Sequence, residues 1–115
     1  MIKVYQIQMS NADIHIINTD GEYTPKIQAF FDRSFESTFK AENFKYYTHV
    51  ANVDVDGFEQ AFRVMNLWED DENFERLELL ERCASMSVGD IVADHNGDLY
   101  RVASFGFTLI EKANA

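Results

Sequence analysis

The alternation of apolar and polar positions divides the chain into short segments that predict a mixture of strands and helices. Residues 2 to 8 are rich in β-branched and aromatic side chains, which favours an opening strand. One side of this strand would carry Ile2 and Val4, and the other side Tyr5 and Ile7. Since both sides are apolar, the pattern predicts a strand in the middle of a sheet.

Two helix starts follow the opening strand. Ser10 and Asp13 have the spacing of a capping box, which predicts a helix of about two turns. Thr24, followed at once by the only proline of the chain, predicts a helix over residues 25 to 34. Residues 37 to 45 show no clear period, so no element is predicted there.

A second strand and a strongly amphipathic helix occupy the middle of the chain. Residues 46 to 53 alternate, and we expect this strand to pair with the first. The alternation places on one side of it Tyr47, His49, Ala51 and Val53. Asp56 and Glu59 are spaced as a helix cap and its third residue. The helix that follows would face the core with Phe58, Ala61, Phe62 and Met65.

The pattern between residues 70 and 82 predicts a further helix, with acidic residues in its first turn and with Leu77, Leu80 and Ala84 facing inward. On such a helix the opposite stripe would be acidic, carrying Asp71, Glu75 and Glu78.

The last part of the chain predicts a β-hairpin. Asn96 and Gly97 separate the apolar segments 91 to 93 and 99 to 103, and Gly106 precedes a final short strand at residues 107 to 110. Together these elements predict a single α+β domain over residues 1 to 115. We expect a mostly antiparallel sheet of four to five strands, with two to four helices packed on one face.

Length and composition agree with one soluble domain. The chain has 115 residues, 46% of them hydrophobic, which suffices for one core but not for two. Its first residues lack the apolar run of a signal peptide or membrane span, so we expect a cytoplasmic protein. Cys83 is the only cysteine, which excludes an intrachain disulfide and favours an inert, half-buried residue near a helix end.

Three C-terminal pieces carry a family resemblance. Residues 86 to 92 contain a Ser-x-x-Asp-Ile-Val motif, residues 97 to 102 end in Tyr-x-Val, and residues 104 to 107 read Ser-Phe-Gly-Phe. In this order and spacing, over about a quarter of the chain, they resemble the YodL-like group of small proteins. Because that group occurs largely on phages, on conjugative elements and in their bacterial hosts, the resemblance implies an origin of this kind. It implies no defined activity.

Charge is the main clue to a partner. The formal net charge is −10, and residues 54 to 81 hold ten acidic residues but only two arginines. Such a surface repels phosphate, which disfavours direct binding to nucleic acid and to anionic membranes. We therefore expect a basic host protein, such as one that processes nucleic acid, to bind at Glu69, Asp70, Asp71, Glu72, Glu75, Glu78 and Glu81.

The spacing of the acidic stripe adds the hypothesis of DNA mimicry. On a helix over residues 70 to 82 the stripe would carry about one charge per 3.5 Å, close to the spacing along one DNA strand. The alternative is that the acidic face is only solvated. The protein would then be an accessory or structural domain that self-associates, as a homodimer, through an apolar patch around Trp68 and Tyr46.

No motif predicts an enzyme, a metal site or a cofactor. The histidines His15, His49 and His95 lack metal-ligand spacing, and residues 94 to 98 fit a tight turn better than a calcium loop. A general acid and base assembled in space would leave no trace in the sequence, so that alternative stays open. His49 would be the first residue to test, although a binding protein without catalysis is the prediction.

Overall fold

The computed structural model describes residues 1–67 and 71–113, and its strands form one antiparallel sheet. In sheet order β3-β2-β1-β4-β5-β6, the strands among these residues are β1 (Ile2–Gln6), β2 (Thr48–Val53), β3 (Leu77–Leu79), β4 (Ile91–Ala93), β5 (Leu99–Val102) and β6 (Phe107–Glu111). The helices are α1 (Asn11–Asn18), α2 (Pro25–Asp32), a 3-10 helix (Ala41–Tyr46), α3 (Phe58–Asn66) and α4 (Asp71–Glu75).

Strand β1 is central, as the apolar residues on both of its sides predicted. It pairs with β2 and with β4, both antiparallel, and Ile2 and Val4 are fully buried. The predicted partnership of β1 with the strand around His49 is therefore confirmed. The prediction of four to five strands was too low, because β3 adds a sixth strand at the edge beside β2.

Helical segments cover both faces of the sheet, which corrects the prediction of helices on one face. Ala61 and Met65 of α3 lie in the same buried cluster as Val4 of β1. On the opposite face, Phe44 of the 3-10 helix packs edge-on against the ring of Tyr5, with 5.0 Å between ring centroids. Val4 and Tyr5 are successive strand residues and point to opposite faces, so both faces of β1 are covered.

A bulge in β2 breaks the predicted alternation of that strand. Val4 pairs with Ala51, but Tyr5 pairs with His49, so Val50 is the extra residue of the bulge. Val50 and Ala51 are both fully buried, whereas His49 stacks on Tyr5 on the other face. The prediction that His49 and Ala51 share one side of the strand is therefore wrong.

The first two helix caps agree with the sequence. Ser10 Oγ accepts a hydrogen bond from the Asp13 amide at 3.1 Å, and the Asp13 carboxylate accepts one from the Ser10 amide at 2.8 Å. At α2, Thr24 Oγ1 accepts from the Ile27 amide at 3.3 Å, with Pro25 in the first turn. These contacts satisfy amides that the first turn of a helix leaves free.

The cap of α3 lies one residue later than predicted. Gly57, not Asp56, is its N-cap. The side chain of Gln60, instead of that of Glu59, reaches back to accept from the amides of Asp56 and Gly57 at 3.1 and 3.2 Å. The buried face of this helix is formed by Ala61, Val64 and Met65, with Phe58 half-buried, whereas the predicted core residue Phe62 is exposed.

The C-terminal hairpin forms as predicted. Gly97 has φ of +87°, and Asp94 Oδ1 accepts from the amides of Asn96 and Asp98, both at 2.9 Å. This is the side-chain chemistry of a tight turn, so the aspartates here stabilise the connection between β4 and β5.

Gly89 allows the loop before β4 to approach the end of α2. Its φ is +93°, and its amide donates to Val102 O at 2.8 Å. A Cβ at this position would lie only 2.4 Å from the carbonyl oxygen of Arg33. Both the left-handed backbone and the close contact therefore require glycine.

The variant Gly89→Ala should lower the free energy of unfolding by about 2 kcal/mol or more, because it adds a backbone clash to left-handed strain. Urea denaturation measures this change. Gly57→Ala is the matched control, since a Cβ there meets nothing within 4 Å and the backbone φ is −138°. Its loss should be smaller, about 1 kcal/mol, because alanine is only a poorer N-cap than glycine. Equal losses in the two variants would contradict this role of Gly89.

Candidate functional site: the acidic edge of the sheet

The acidic segment is built onto the outer side of β2. Helix α4 ends where the Arg76 amide donates to Asn73 O at 3.1 Å. The Asp54 amide then donates to Arg76 O at 2.8 Å, and the Leu80 amide donates to Val50 O at 2.9 Å. These bonds hold β3 against β2 and satisfy backbone groups that would otherwise be exposed along the edge of β2.

The predicted helix over residues 70 to 82 is therefore wrong. Only Asp71–Glu75 is helical, and the strand that follows pairs Leu77 with Val53 and Leu79 with Ala51. Alternation places these leucines on one face and Glu78 on the other. Pairing with β2 overrides the helical preference of this segment. As a strand, the segment forms hydrogen bonds with the edge of β2, and Leu77 packs against the core.

The acidic residues predicted to bind a partner fall in different elements. Glu69 and Asp70 lie outside the described residues, and so does the side chain of Asp71, which begins α4. The exposed members are Glu72 and Glu75 on α4, Glu78 on β3 and Glu81 just after it. We call these four glutamates the acidic edge. The regular helical stripe of Asp71, Glu75 and Glu78 does not exist, because Glu78 belongs to a strand.

Glu75, Glu78 and Glu81 of the acidic edge are exposed residues. Glu75 and Glu81 have no side-chain partner within the described parts of the chain, and Glu78 Oε1 accepts a hydrogen bond from Asn52 Nδ2 at 2.7 Å. The ion pairs Lys26–Asp13 and Arg33–Asp90 lie elsewhere. Glu75, Glu78 and Glu81 are therefore accessible to a partner, and no arginine or lysine of the described residues pairs with them.

Apolar side chains lie beside the acidic edge. The exposed ones are Leu67, Phe74, Leu79 and Leu80, with exposed fractions from 44% to 57%. A groove of about 180 Å³ runs along β3 and is lined by Met65, Leu77, Leu79, Arg82, Cys83 and Ala84. The edge thus combines negative charge with apolar surface, which suits a partner that carries both basic and apolar side chains.

Cys83 lies in this groove as a half-buried residue, as predicted, but it follows a strand and not a helix. Burial, and secondarily the charge of Asp90, raises the pKa of its thiol. A raised pKa leaves less thiolate at neutral pH, so the environment works against a nucleophilic role.

A buried polar cluster lies at the loop before β4, and the sequence did not reveal it as a cluster. Asp90 is buried, and its carboxylate accepts from Gln6 Nε2 at 3.0 Å and from the Ser87 amide at 2.9 Å. Arg33 Nη1 lies 3.7 Å from Asp90 Oδ1. Burial outweighs these favourable contacts and raises the pKa of Asp90 to about 6.

The neighbours of Asp90 bond mainly to backbone. Arg33 Nη1 donates to Val88 O at 2.7 Å, Tyr47 Oη donates to Gly89 O at 2.6 Å, and Arg101 donates twice to Arg33 O. The cluster therefore ties the loop before β4 to the end of α2. The Ser-x-x-Asp motif works here as turn chemistry, since the Asp90 amide also donates to Ser87 O at 3.0 Å.

The histidines lie apart, in α1, in β2 and in the turn after β4. His49 Nε2 lies 2.8 Å from Asn52 Oδ1, which connects it through Asn52 to Glu78 of the acidic edge. Within residues 1–67 and 71–113, no group of three histidine, cysteine, aspartate or glutamate side chains could hold a metal ion. In the same ranges, no helix is long and apolar enough to cross a membrane.

The apolar patch predicted around Trp68 and Tyr46 is only partly visible. Trp68 lies outside the described residues, and Tyr46 is half-buried in a groove that also contains Lys26, Glu81 and Arg82. Lys45 Nζ lies 5.3 Å from the centroid of the Tyr46 ring. The described part of this surface is therefore mainly polar and charged.

No protein-family model, curated protein or solved structure matches this chain. The resemblance of the C-terminal pieces to the YodL-like group therefore stays a prediction.

The stability of the parent protein should decrease relative to Asp90→Asn as the pH rises from about 4 to about 7. The unfolded carboxyl has a pKa of 3.8, and the folded one a pKa of about 6, so the folded state binds the proton more tightly. This contribution is complete below the unfolded pKa and is lost as the pH rises through 6, with a full size of about 3 kcal/mol. Urea denaturation across this range measures the difference.

Asp13→Asn is the control of opposite sign. The hydrogen bond from Lys26, followed by that from the Ser10 backbone, lowers the pKa of Asp13. Its contribution to stability is therefore present above the unfolded pKa and is lost as the pH falls through the folded pKa. A stability difference between the parent and Asp90→Asn that does not change with pH would refute the burial argument.

Proposed function

We propose that this protein is a non-enzymatic binding protein that engages a basic protein partner through the acidic edge. The observation that carries the proposal is the exposure of Glu75, Glu78 and Glu81, none of which is paired with an arginine or lysine of the described residues. Exposed like charges raise the free energy of the isolated domain by mutual repulsion. A positively charged partner relieves that repulsion on binding.

The partner is defined by its chemistry. Long-range attraction to Glu75, Glu78 and Glu81 favours a basic surface and accelerates the encounter. The exposed Leu67, Phe74 and Leu79 favour a partner that also offers apolar side chains, since charge at a rim contributes more to association rate than to affinity. A nucleic acid or an anionic membrane does not fit the charge of this edge, because both carry negative charge.

The resemblance to a phage and mobile-element group bears on the identity of this partner. It supports a bacterial host protein, and basic grooves are common among host proteins that process nucleic acid. We also propose that binding antagonises this host protein. The acidic edge spans a short helix and a strand, so this proposal rests on charge and apolar contact and not on a DNA-like spacing along one helix.

Reversing two charges of the edge, in the double variant Glu75→Lys and Glu81→Lys, should weaken binding of the captured partner by about ten-fold or more at low salt. Affinity capture from a bacterial lysate at low and high salt would identify the partner by mass spectrometry. Calorimetry with the purified partner then gives the dissociation constant for each variant. High salt should weaken the parent complex in the same direction.

The matched control is Glu22→Lys with Glu42→Lys, because both glutamates are exposed and lie outside the acidic edge. It changes the net charge equally, so it should retain most of the affinity. Glu78→Gln removes a third charge and keeps an oxygen that accepts from Asn52. If both double variants lose affinity equally, only net charge matters and the acidic edge is not the binding surface.

A further inference from the structure

An almost fully exposed phenylalanine forms the tip of the hairpin between β5 and β6. Phe105 has an exposed fraction of 97%, so it contacts almost nothing in its own chain. The turn is closed by a hydrogen bond from the Ala103 amide to Gly106 O at 3.0 Å, and Gly106 has φ of +75°. Tight turns normally place small or polar residues at such a tip, so the local backbone does not explain a phenylalanine here.

A groove of about 500 Å³ begins directly beside this tip, on the face of the sheet covered by α3. Its apolar wall includes Phe62, Met86, Val88, Val102 and Phe107, and its rim includes Ser87 and Ser104. Phe62 is 40% exposed although it belongs to the predicted core stripe of α3, because it borders this opening. The groove has the size and apolar lining of a site that receives a large side chain.

We propose that this surface binds a second copy of the same chain, with Phe105 of each copy inserted into the groove of the other. A two-fold symmetric interface requires one patch that is complementary to itself. Here the protruding ring and the groove are adjacent in the chain, since Ser104, Gly106 and Phe107 line the groove. A two-fold axis between two hairpin tips would therefore seat both rings at once.

The distribution of charge favours this occupant. Two molecules of net charge −10 repel, so they associate best through the surface that carries the least charge. Among the described residues that line the groove, Glu59 is the only charged one. Strand β6 of this hairpin lies at one end of the sheet, and β3 with the acidic edge lies at the other end. The acidic edges of the two copies would therefore be far from the contact.

Sedimentation velocity over a range of concentrations tests this interface. The parent should dimerise, and Phe105→Ser should weaken the dimer by about ten-fold or more, because it removes both anchor rings. Phe74→Ser is the matched control, since Phe74 is also exposed but lies on α4 beside β3. It should leave the dimerisation constant unchanged. At a protein concentration low enough for the parent to be monomeric, thermal unfolding of Phe105→Ser should match that of the parent, since the ring is not packed in the monomer.

A groove-blocking variant separates this interface from general stickiness. Ser87 is exposed at the rim and uses its backbone amide to bond Asp90, so Ser87→Trp obstructs the groove and keeps that bond. In a dimer of either variant alone, neither ring can insert into a groove. In an equimolar mixture of Phe105→Ser and Ser87→Trp, one insertion is restored, because Phe105 of the Ser87→Trp copy can enter the open groove of the Phe105→Ser copy. The mixture should therefore associate more tightly than either variant alone.

Salt provides a further readout with a predicted sign. Raising the ionic strength screens the repulsion between two acidic molecules and should strengthen the dimer, whereas it weakens binding to a basic partner. A parent that stays monomeric at about 100 µM in high salt would overturn the proposal, as would a dimer equally strong in Phe105→Ser. A mixture no tighter than its two components would overturn the reciprocal geometry.

Discussion

The antiparallel pairing of β1 with two strands is the interaction on which the rest of the structure depends. Strand β1 brings β2, from the middle of the chain, and β4, from its C-terminal part, to neighbouring positions. Ile2 and Val4 are fully buried there, within the cluster that α3 completes. Contacts between distant segments carry a large ordering cost, so a strongly apolar central strand is needed to offset it.

Gln6, the last residue of β1, extends this control to the loop before β4. Its amide oxygen accepts from the Ala84 amide at 3.0 Å, and its amide nitrogen donates to Ala84 O and to the Asp90 carboxylate, both at 3.0 Å. The Gln6 side chain thus bonds to the backbone of Ala84 through a donor and an acceptor, as the backbone of a neighbouring strand would. Because the side chains of Gln6 and Asp90 are buried, losing the bond between them would leave a buried polar group unsatisfied, which makes the loop geometry well defined.

The two edges of the sheet then have opposite chemistry. At one edge β3 carries glutamates beside exposed leucines, and at the other edge the hairpin of β5 and β6 carries Phe105 beside a largely apolar groove. Edge strands present unpaired backbone groups and are the natural sites of association between chains. In the proposed dimer, the charge at the first edge discourages self-association there and so favours the second edge. The proposed partner and the proposed second copy therefore occupy separate surfaces.

The sequence alone determined the features that depend on neighbouring residues. Three of these features are the cap formed by Ser10 and Asp13, the Thr24 cap and the Asn96-Gly97 turn. Each involves groups only a few positions apart, so it can be recognised from the amino-acid sequence. The apolar character of both sides of β1 likewise indicated its central place. For the candidate site, the sequence identified the clustered glutamates but neither their arrangement nor the apolar groove beside them.

The features that depend on distant partners were set by the packing of the folded chain. Residues 77 to 79 became a strand because β2 offered an unpaired edge, which no local pattern reports. The bulge at Val50 moved His49 to the other face, since the register of β1 and not the alternation of β2 sets that pairing. The burial of Asp90 and the exposure of Phe105 have the same origin: both follow from what other segments place around a residue.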